Sequence, residues 1–447
     1  MKLSRDLYAP WGIALLGFCL HLALFWPGLL SADSYTQLAQ AQTGIFNNHH
    51  PVLMSLLWSY FTRIIPGPGL MLTLHLSLFW GAIGLFSYTF YKHRLRAWWW
   101  FYLIPLWPVF LCYSSMIWKD VGFSFSFMAA ISVLFHCSFE NKKPTVFQSS
   151  LVTLLLLYGV GTKYQALYLL PFCAFWLSFL IFNAKYSKQT LVLSICIFMG
   201  IFGTNKIIDA TFVPNAQQSN SWQMARLYDL AGISVFANQP NFPNYITNNT
   251  YFSMERLKEL YSFQNVDALV YAKQPVLITT QNPRELSNLW DTWKQAVINH
   301  PIFYASHRLG IWLKLINKNI NDYYYYLNNE TKNLKFKEIT VPFLKTYLSI
   351  FPSLILRFYW VIPILFLAMR RSNQKSLNLR LRFVYKMLAF ISFSQLGIYF
   401  FLSMASDLRY LFLSNLLAFF LVPLIYASKE LYNRNTSHEA MTERRDN

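Results

Sequence analysis

The sequence predicts an all-α polytopic membrane protein with about ten transmembrane helices and one outer-face soluble domain of mixed, mostly helical character. Three observations carry this expectation. Of the 447 residues, 55% are hydrophobic and only 13% charged, which argues for a solvent other than water. Apolar stretches of roughly 20 residues, the length a bilayer core of about 30 Å requires, recur along the chain. Strongly basic clusters occupy alternate connections between them, as the positive-inside rule asks of cytoplasmic loops.

The first span covers about 9–30. Its start is charged like a signal peptide, but the apolar run is long and lacks a small-residue cleavage site, so it reads as uncleaved. Further spans are expected near 69–91, 97–113, 121–138, 146–161, 165–183, 189–208, 347–369, 383–403 and 409–428. The basic connections "KHRLR" (92–96), "NKK" (141–143), "RRSNQKSLNLRLR" (370–382) and the tail from Lys429 then lie in the cytoplasm, with both termini. The opposite side receives the loop 31–68, the turns around "SSMIWKD" and "GTKYQ", a long segment of about 209–346, and "ASDLRY".

The chain therefore divides into an N-terminal transmembrane module (1–208), an outer domain (209–346) and a C-terminal transmembrane module with its tail (347–447). The long segment opens with Asn/Pro-rich stretches such as "NQPNFPNYITNNT". Helical patterns follow in "MERLKELYSF" and "RELSNLWDTWKQAVINHPIFYASHRLGIWLKLI". The run "YYYY" at 323–326 suits an aromatic belt at the membrane interface. No internal repeat and no low-complexity tract is visible.

A formal charge of +19 would suggest nucleic acid as partner of a soluble protein; here it reflects topology and contact with lipid phosphates. No Gly-rich phosphate loop or nucleic-acid module argues otherwise. Cys19, Cys112, Cys137, Cys173 and Cys196 all fall in apolar runs and none forms a CxxC, so they read as core residues rather than a disulfide framework or zinc site.

Ionisable residues cluster where outer helix ends are expected: Asp33, His49, His50, Lys119, Asp120, Lys163, Asp407 and Arg409. Charges near helix ends face a cavity, a partner or the headgroups. Asp33 in "SADSYTQLAQA" fits either a catalytic carboxylate or a helix N-cap. His49 and His50 fit a substrate site or headgroup contacts. Their i, i+1 spacing cannot put both on one helical face, so no metal site is indicated. Lys119 and Asp120 in "IWKD" fit a functional pair or an interfacial ion pair, and Lys163 a phosphate contact or a snorkelling side chain. Arg409 fits a phosphate contact or a local pair with Asp407. His300, Tyr304, His307 and Arg308 fall near one helical stripe, which serves a site or a packing face.

The layout resembles the polytopic glycosyltransferases with the C fold, a family that includes protein O-mannosyltransferases and lipid A aminoarabinose transferases. The stretches that carry the resemblance are Asp33 in "SADSYTQLAQAQTG" after the first span, "HHP" at the next helix start, "WKD" and "HPIFYASHR". Many members carry paired acids in the first loop. Here Ser34 follows Asp33, which leaves Asp33 as the single obvious base, with Asp120 as a second carboxylate if the two loops meet.

The resemblance implies transfer of a sugar from a polyprenyl-phosphate donor to a glycan, lipid or protein acceptor on the outer face of a bacterial inner membrane. It needs no cofactor and no nucleic acid. Asp33 then accepts the acceptor's proton. Lys119, Lys163, Arg308 and Arg409 hold the donor phosphate, and His49, His50, Tyr304 and His307 contact substrate. A polymerase or ligase of lipid-linked glycans is the alternative enzyme. A lipid or glycan transporter is the alternative of another class, but transporters place charges at the midplane and often show internal repeats.

Overall fold

The computed structural model describes residues 8–214, 218–352, 355–374 and 377–443. It is helical, with no strand among the described residues. α1 (Ala9–Phe25) takes Pro10 in its first turn, where an N–H is dispensable, and stops before Trp26–Pro27. The polar α2 (Ala32–Thr43) ends at Gly44, whose φ of 72° is the left-handed cap conformation that glycine adopts without cost. α3 (Leu53–Ile64) is amphipathic, and α4 (Gly69–Lys92) is a long apolar helix.

The predicted span 97–113 is not one helix. Pro105 and Pro108 remove donors and clash with the preceding turn, leaving a 3-10 segment (Arg96–Leu106) and the short α5 (Pro108–Tyr113). α6 (Lys119–Phe139) follows. α7 (Val146–Val160) starts from a capping box between Thr145 and Gln148. A 3-10 turn (Tyr164–Tyr168) leads into α8 (Leu170–Ile181), and then comes α9 (Lys188–Phe212).

The middle of the chain holds α10 (Gln223–Ala237), the short α11 (Asn244–Thr247), α12 (Met254–Leu260) and α13 (Asp267–Val270), then α14 (Pro283–Asn299) and α15 (Pro301–Ile316). After it come α16 (Asn321–Asn329), α17 (Lys337–Ser349), α18 (Val361–Ser372), α19 (Leu379–Leu402) and α20 (Phe412–Glu443). The stretch 347–369 is broken between α17 and α18, and Pro352 lies within the interruption.

Among the described residues, five helical stretches are long and apolar enough to cross a membrane: Gly69–Lys92, Lys119–Phe139, Lys188–Phe212, Leu379–Leu402 and Leu408–Ser428. α1, α7 and α8 are shorter apolar helices. α6 lies at the centre, with 94% of its apolar window buried against α4, α7, α8, α19 and α20. α9 lies at the edge, with only 11% of its window buried. It turns Leu191, Val192, Ile195, Met199 and Ile207 outward. An apolar helix that buries so little of itself needs an apolar solvent, which is the behaviour of a membrane protein.

Two sequence readings change here. The segment 209–346 is not one unit. Residues from Met224 to Ile311 form their own core around Leu227, Tyr228, Leu257, Leu269 and Leu289, whereas Leu315 through Leu348 join the main core. Tyr323 of the "YYYY" run is accordingly buried, sharing a 2.7 Å hydrogen bond with Ser115, rather than lying in a belt. Among the cysteines, Cys112, Cys137 and Cys173 are buried as expected, but Cys19 and Cys196 lie on exposed helix faces.

The basic connections gather at one end. Lys92 and His93 reach Glu140 at 2.5 and 2.9 Å, and Arg380 donates to the Lys142 carbonyl at 2.9 Å. The length of α6, roughly 30 Å at 1.5 Å per residue, separates Glu140 from Lys119 at the other end.

Candidate active site

Two distant connections are zipped together at that other end. The Leu29 N–H donates to the Ser115 carbonyl at 2.8 Å, and the Ile117 N–H returns a bond to the Leu29 carbonyl at 3.0 Å. Gly28 permits the approach: its φ is 108°, and a Cβ there would meet Ile117 at 2.8 Å. Ser34 Oγ then donates to the Ile117 carbonyl at 2.7 Å, and the Trp118 indole donates to Ser31 Oγ at 2.8 Å. This lattice delivers Asp33 and Lys119 to one point. The capping reading of Asp33 does not apply, because Ser31 is the N-cap and the Asp33 carboxylate turns to cations.

Lys119 Nζ donates to Asp33 Oδ2 at 3.0 Å, and Arg409 Nη1 stands 3.4 Å from the same oxygen. Arg409 is oriented by Asp407, 2.8 Å from its Nε, and lies over the Trp118 ring at 5.1 Å. Lys119 Nζ is also 2.9 Å from His50 Nδ1, while His50 Nε2 is 3.7 Å from Asp33 Oδ1. The same ammonium is also 3.0 Å from Nε2, so it faces the edge of the ring that carries both nitrogens. The histidine loop is pinned from outside. The Ser219 N–H donates to Asn48 Oδ1 at 2.7 Å, and the Val52 N–H to Asp209 Oδ1 at 3.2 Å.

Burial works against the charge on Asp33, but Lys119, His50 and Arg409 together hold its carboxyl well below the usual carboxylate range. Burial, then Lys119, brings the His50 imidazole down to about 4 and lowers His49 as well, so both rings are neutral near pH 7. Asp33 is thus an ionised acceptor of hydrogen bonds near neutral pH. It gains proton affinity only when another anion draws on its cations.

Asp120 does not join Asp33. It faces the other way and pairs with Lys163, both fully buried. Burial brings the Lys163 ammonium down to about 8 against the pull of Asp120. Lys163 also lies over the rings of Tyr410 at 4.8 Å and Tyr399 at 5.3 Å, which stack on each other. No group of His, Cys, Asp and Glu that could hold a metal occurs among the described residues.

These groups line one cavity of about 540 Å³. Asp33, His49, His50, Lys119, Lys163 and Arg409 all reach it, from four separate connections. The opposite wall, Ser221, Met224, Asp267 and Tyr271, comes from the second core and its approach. Asp267 is a carboxylate that sequence reasoning missed. It is one acid among several in a polar segment, and nothing in "NVDALV" distinguishes it. Burial raises its carboxyl above the usual range; Arg409 opposes that shift and Asp33 adds to it. A second cavity of about 210 Å³ shares Pro51, Tyr164, Gln165 and Leu402 with the first and continues past Val160, Leu167 and Phe202 toward exposed α9.

Arg308, His307 and Tyr304 are not brought to this cavity. Arg308, almost wholly buried, forms an ion pair with Asp229, Nε to Oδ1 2.6 Å, and donates through Nη1 to the Ser403 carbonyl at 2.7 Å. His307 shares a 2.7 Å hydrogen bond with the Tyr261 hydroxyl and is held well below its ordinary pKa by burial and then Arg308. The Tyr304 ring lies 5.9 Å from the Arg308 guanidinium. The stripe is a packing face that ties α15 to α10 and to the end of α19. Arg308 is therefore corrected from a phosphate contact to an internal ion pair.

Comparison with protein-family models, curated proteins and solved structures finds no match.

Proposed function

We propose that the protein is a membrane glycosyltransferase that moves a sugar from a polyprenyl-phosphate donor to an acceptor hydroxyl on the outer face. One observation carries this reading: a carboxylate, Asp33, shares a single cavity with Lys119 and Arg409 at the helix ends opposite the basic connections. The donor phosphate lies between Lys119 and Arg409, where charge-assisted hydrogen bonds stabilise it as it leaves. The narrower apolar cavity beside α9 takes the start of the isoprenoid chain.

The acceptor oxygen attacks the anomeric carbon as the bond from that carbon to the phosphate oxygen breaks. The bonding electrons leave with the phosphate monoester, and the configuration inverts. The hydroxyl proton passes to a carboxylate. Asp33 is competent for this once the donor phosphate shares its cations, because that anion lifts its proton affinity. His50, neutral, stands against the Lys119 ammonium and helps to fix it beside Asp33.

The topology that fits has ten passages, some made by broken helices. The connections 92–96, 141–143 and 370–382 are cytoplasmic, while the site and the second core face the periplasm of a bacterial inner membrane. The convergence of four predicted outer connections on one cavity supports it.

The decisive assay is transfer of label from a radiolabelled polyprenyl-phosphate sugar by the purified protein, with a nucleotide sugar as control. Transfer from the lipid donor alone is expected. Movement of the lipid across vesicles without transfer would make the protein a transporter instead.

A further inference from the structure

The wall that the second core lends to the Asp33 cavity presents a carboxylate and an aromatic ring side by side. Asp267 opens α13, and the N–H of Tyr271, one turn on, donates to the Asp267 carbonyl at 2.8 Å. The short helix is held from behind. Val266 and Leu269 are buried in the second core, and the Val266 N–H donates to the Met404 carbonyl at 3.1 Å. Asp267 and Tyr271 line the cavity and are exposed, Tyr271 by 63%.

Neither side chain is engaged by the protein. The Asp267 carboxylate enters no ion pair or hydrogen bond among the described residues, because Lys119 and Arg409 lie on Asp33 and Lys163 lies on Asp120. The Tyr271 ring contacts no other ring or cation among the described residues. Ser221 and Gln165, also on the walls, spend their side chains on no hydrogen bond among them.

These groups select a chemistry. A carboxylate accepts strong hydrogen bonds from hydroxyls, and its two oxygens suit two neighbouring donors. The face of an aromatic ring is negative and attracts weakly positive C–H groups. A sugar supplies both, hydroxyls around its rim and C–H groups across its face. A lone hydroxyl on a lipid or a serine would leave the ring, Ser221 and Gln165 unused. An ammonium also suits a carboxylate beside a ring, but Lys119, Lys163 and Arg409 already line this cavity and repel a further cation.

We infer that Asp267 and Tyr271 form a carbohydrate-binding subsite, with sugar hydroxyls on the carboxylate and a C–H face of the sugar on the tyrosine ring, so that the acceptor is a glycan. The role of that sugar as acceptor rests on the glycosyltransferase reading; its binding does not.

The test is saturation-transfer difference NMR on the full-length protein in lipid nanodiscs. The probes are methyl β-glucopyranoside, methyl β-galactopyranoside and methyl α-mannopyranoside, with ethanolamine as the cationic competitor. Saturation should reach at least one glycoside, most strongly at the C–H protons of one ring face, and ethanolamine should not displace it. Asp267→Asn and Tyr271→Ala should each weaken binding severalfold to about tenfold, the effect of losing a charge-assisted hydrogen bond or an aromatic contact. Tyr271→Phe keeps the ring and should bind as wild type does. Both positions are exposed, so the variants should melt within a few degrees of wild type. Absence of saturation on all three glycosides overturns the subsite, as does displacement by ethanolamine or an equal loss in Tyr271→Phe and Tyr271→Ala. The labelled-donor assay separates this inference from the reading beneath it. Glycoside binding without transfer supports the subsite and sinks the glycosyltransferase. Transfer to a serine-containing peptide or to phosphatidylglycerol, with no glycoside bound, sinks the subsite alone.

Discussion

Lys119 Nζ sits 3.0 Å from Asp33 Oδ2 although 86 residues separate them, and the same ammonium touches His50. Asp33 is therefore defined by its cations rather than by the helix that it begins. Asp33→Asn keeps the shape and removes the charge. Transfer from the lipid-linked sugar should fall at least a hundredfold, with a melting temperature within a few degrees of wild type. An asparagine variant that retains near-normal turnover would leave the proton-accepting role to Asp267 or to no residue at all.

Asp267 is the independent check on that division. It faces the same cavity from the second core, and burial raises its proton affinity. If it orients the acceptor, Asp267→Asn should raise the acceptor KM severalfold while leaving the donor KM within about twofold. Steady-state titration of the two substrates separates these effects.

The buried pair of Asp120 and Lys163 predicts a specific pattern of stability. Removing one partner leaves a charge uncompensated, so Asp120→Asn or Lys163→Met should cost about 3–5 kcal/mol. The double variant should recover a large part of that loss, because neither charge remains. Thermal unfolding in detergent measures both. Simple additivity would mean that the two side chains act separately.

Arg308 should behave as a structural residue. Its Nε and Nη1 reach Asp229 and the Ser403 carbonyl in two directions, which one ammonium cannot copy. Arg308→Lys should destabilise by about 2–3 kcal/mol, the scale of a lost hydrogen bond to a charged group. The folded fraction should keep a donor KM within twofold. A large rise in donor KM at unchanged stability would restore Arg308 to the phosphate.

Acid should weaken the fold through His50. Its folded pKa is about 4 and its ordinary value 6.5, so the unfolded chain binds the extra proton first. Stability should thus be fully present above about pH 6.5 and decline as pH falls toward 4. Asp33, whose carboxyl is also depressed, adds to the loss at still lower pH. Unfolding midpoints between pH 4 and 8 test this, and His50→Gln should flatten the upper part of the curve.

The apolar periodicity made the long helices α4, α6, α9 and α19 legible, because twenty apolar residues leave a chain few options in lipid. It did not show where proline would cut 97–113 or 347–369, since hydropathy is blind to a missing N–H. Five of the cavity's cations and histidines, with Asp33, could be named from their place at helix ends. Their pairing could not: Lys119 and Asp120 are adjacent in sequence yet point to different partners, which is a matter of helix phase. Arg308 looked like a phosphate ligand because Asp229, its partner, lies 79 residues earlier in an unremarked helix.

The third partner of Asp33 comes late. Arg409 follows it by 376 residues, on the turn that opens the final long helix. A ribosome delivers Asp33 and Lys119 early, and they can meet while most of the polypeptide is still unmade. Arg409 and the wall formed by Met404 and Ala405 arrive only as translation nears its close. Until then, the pair of Asp33 and Lys119 lacks its second cation and that wall. On the proposed reading, a chain that stops before Arg409 should therefore show no transfer.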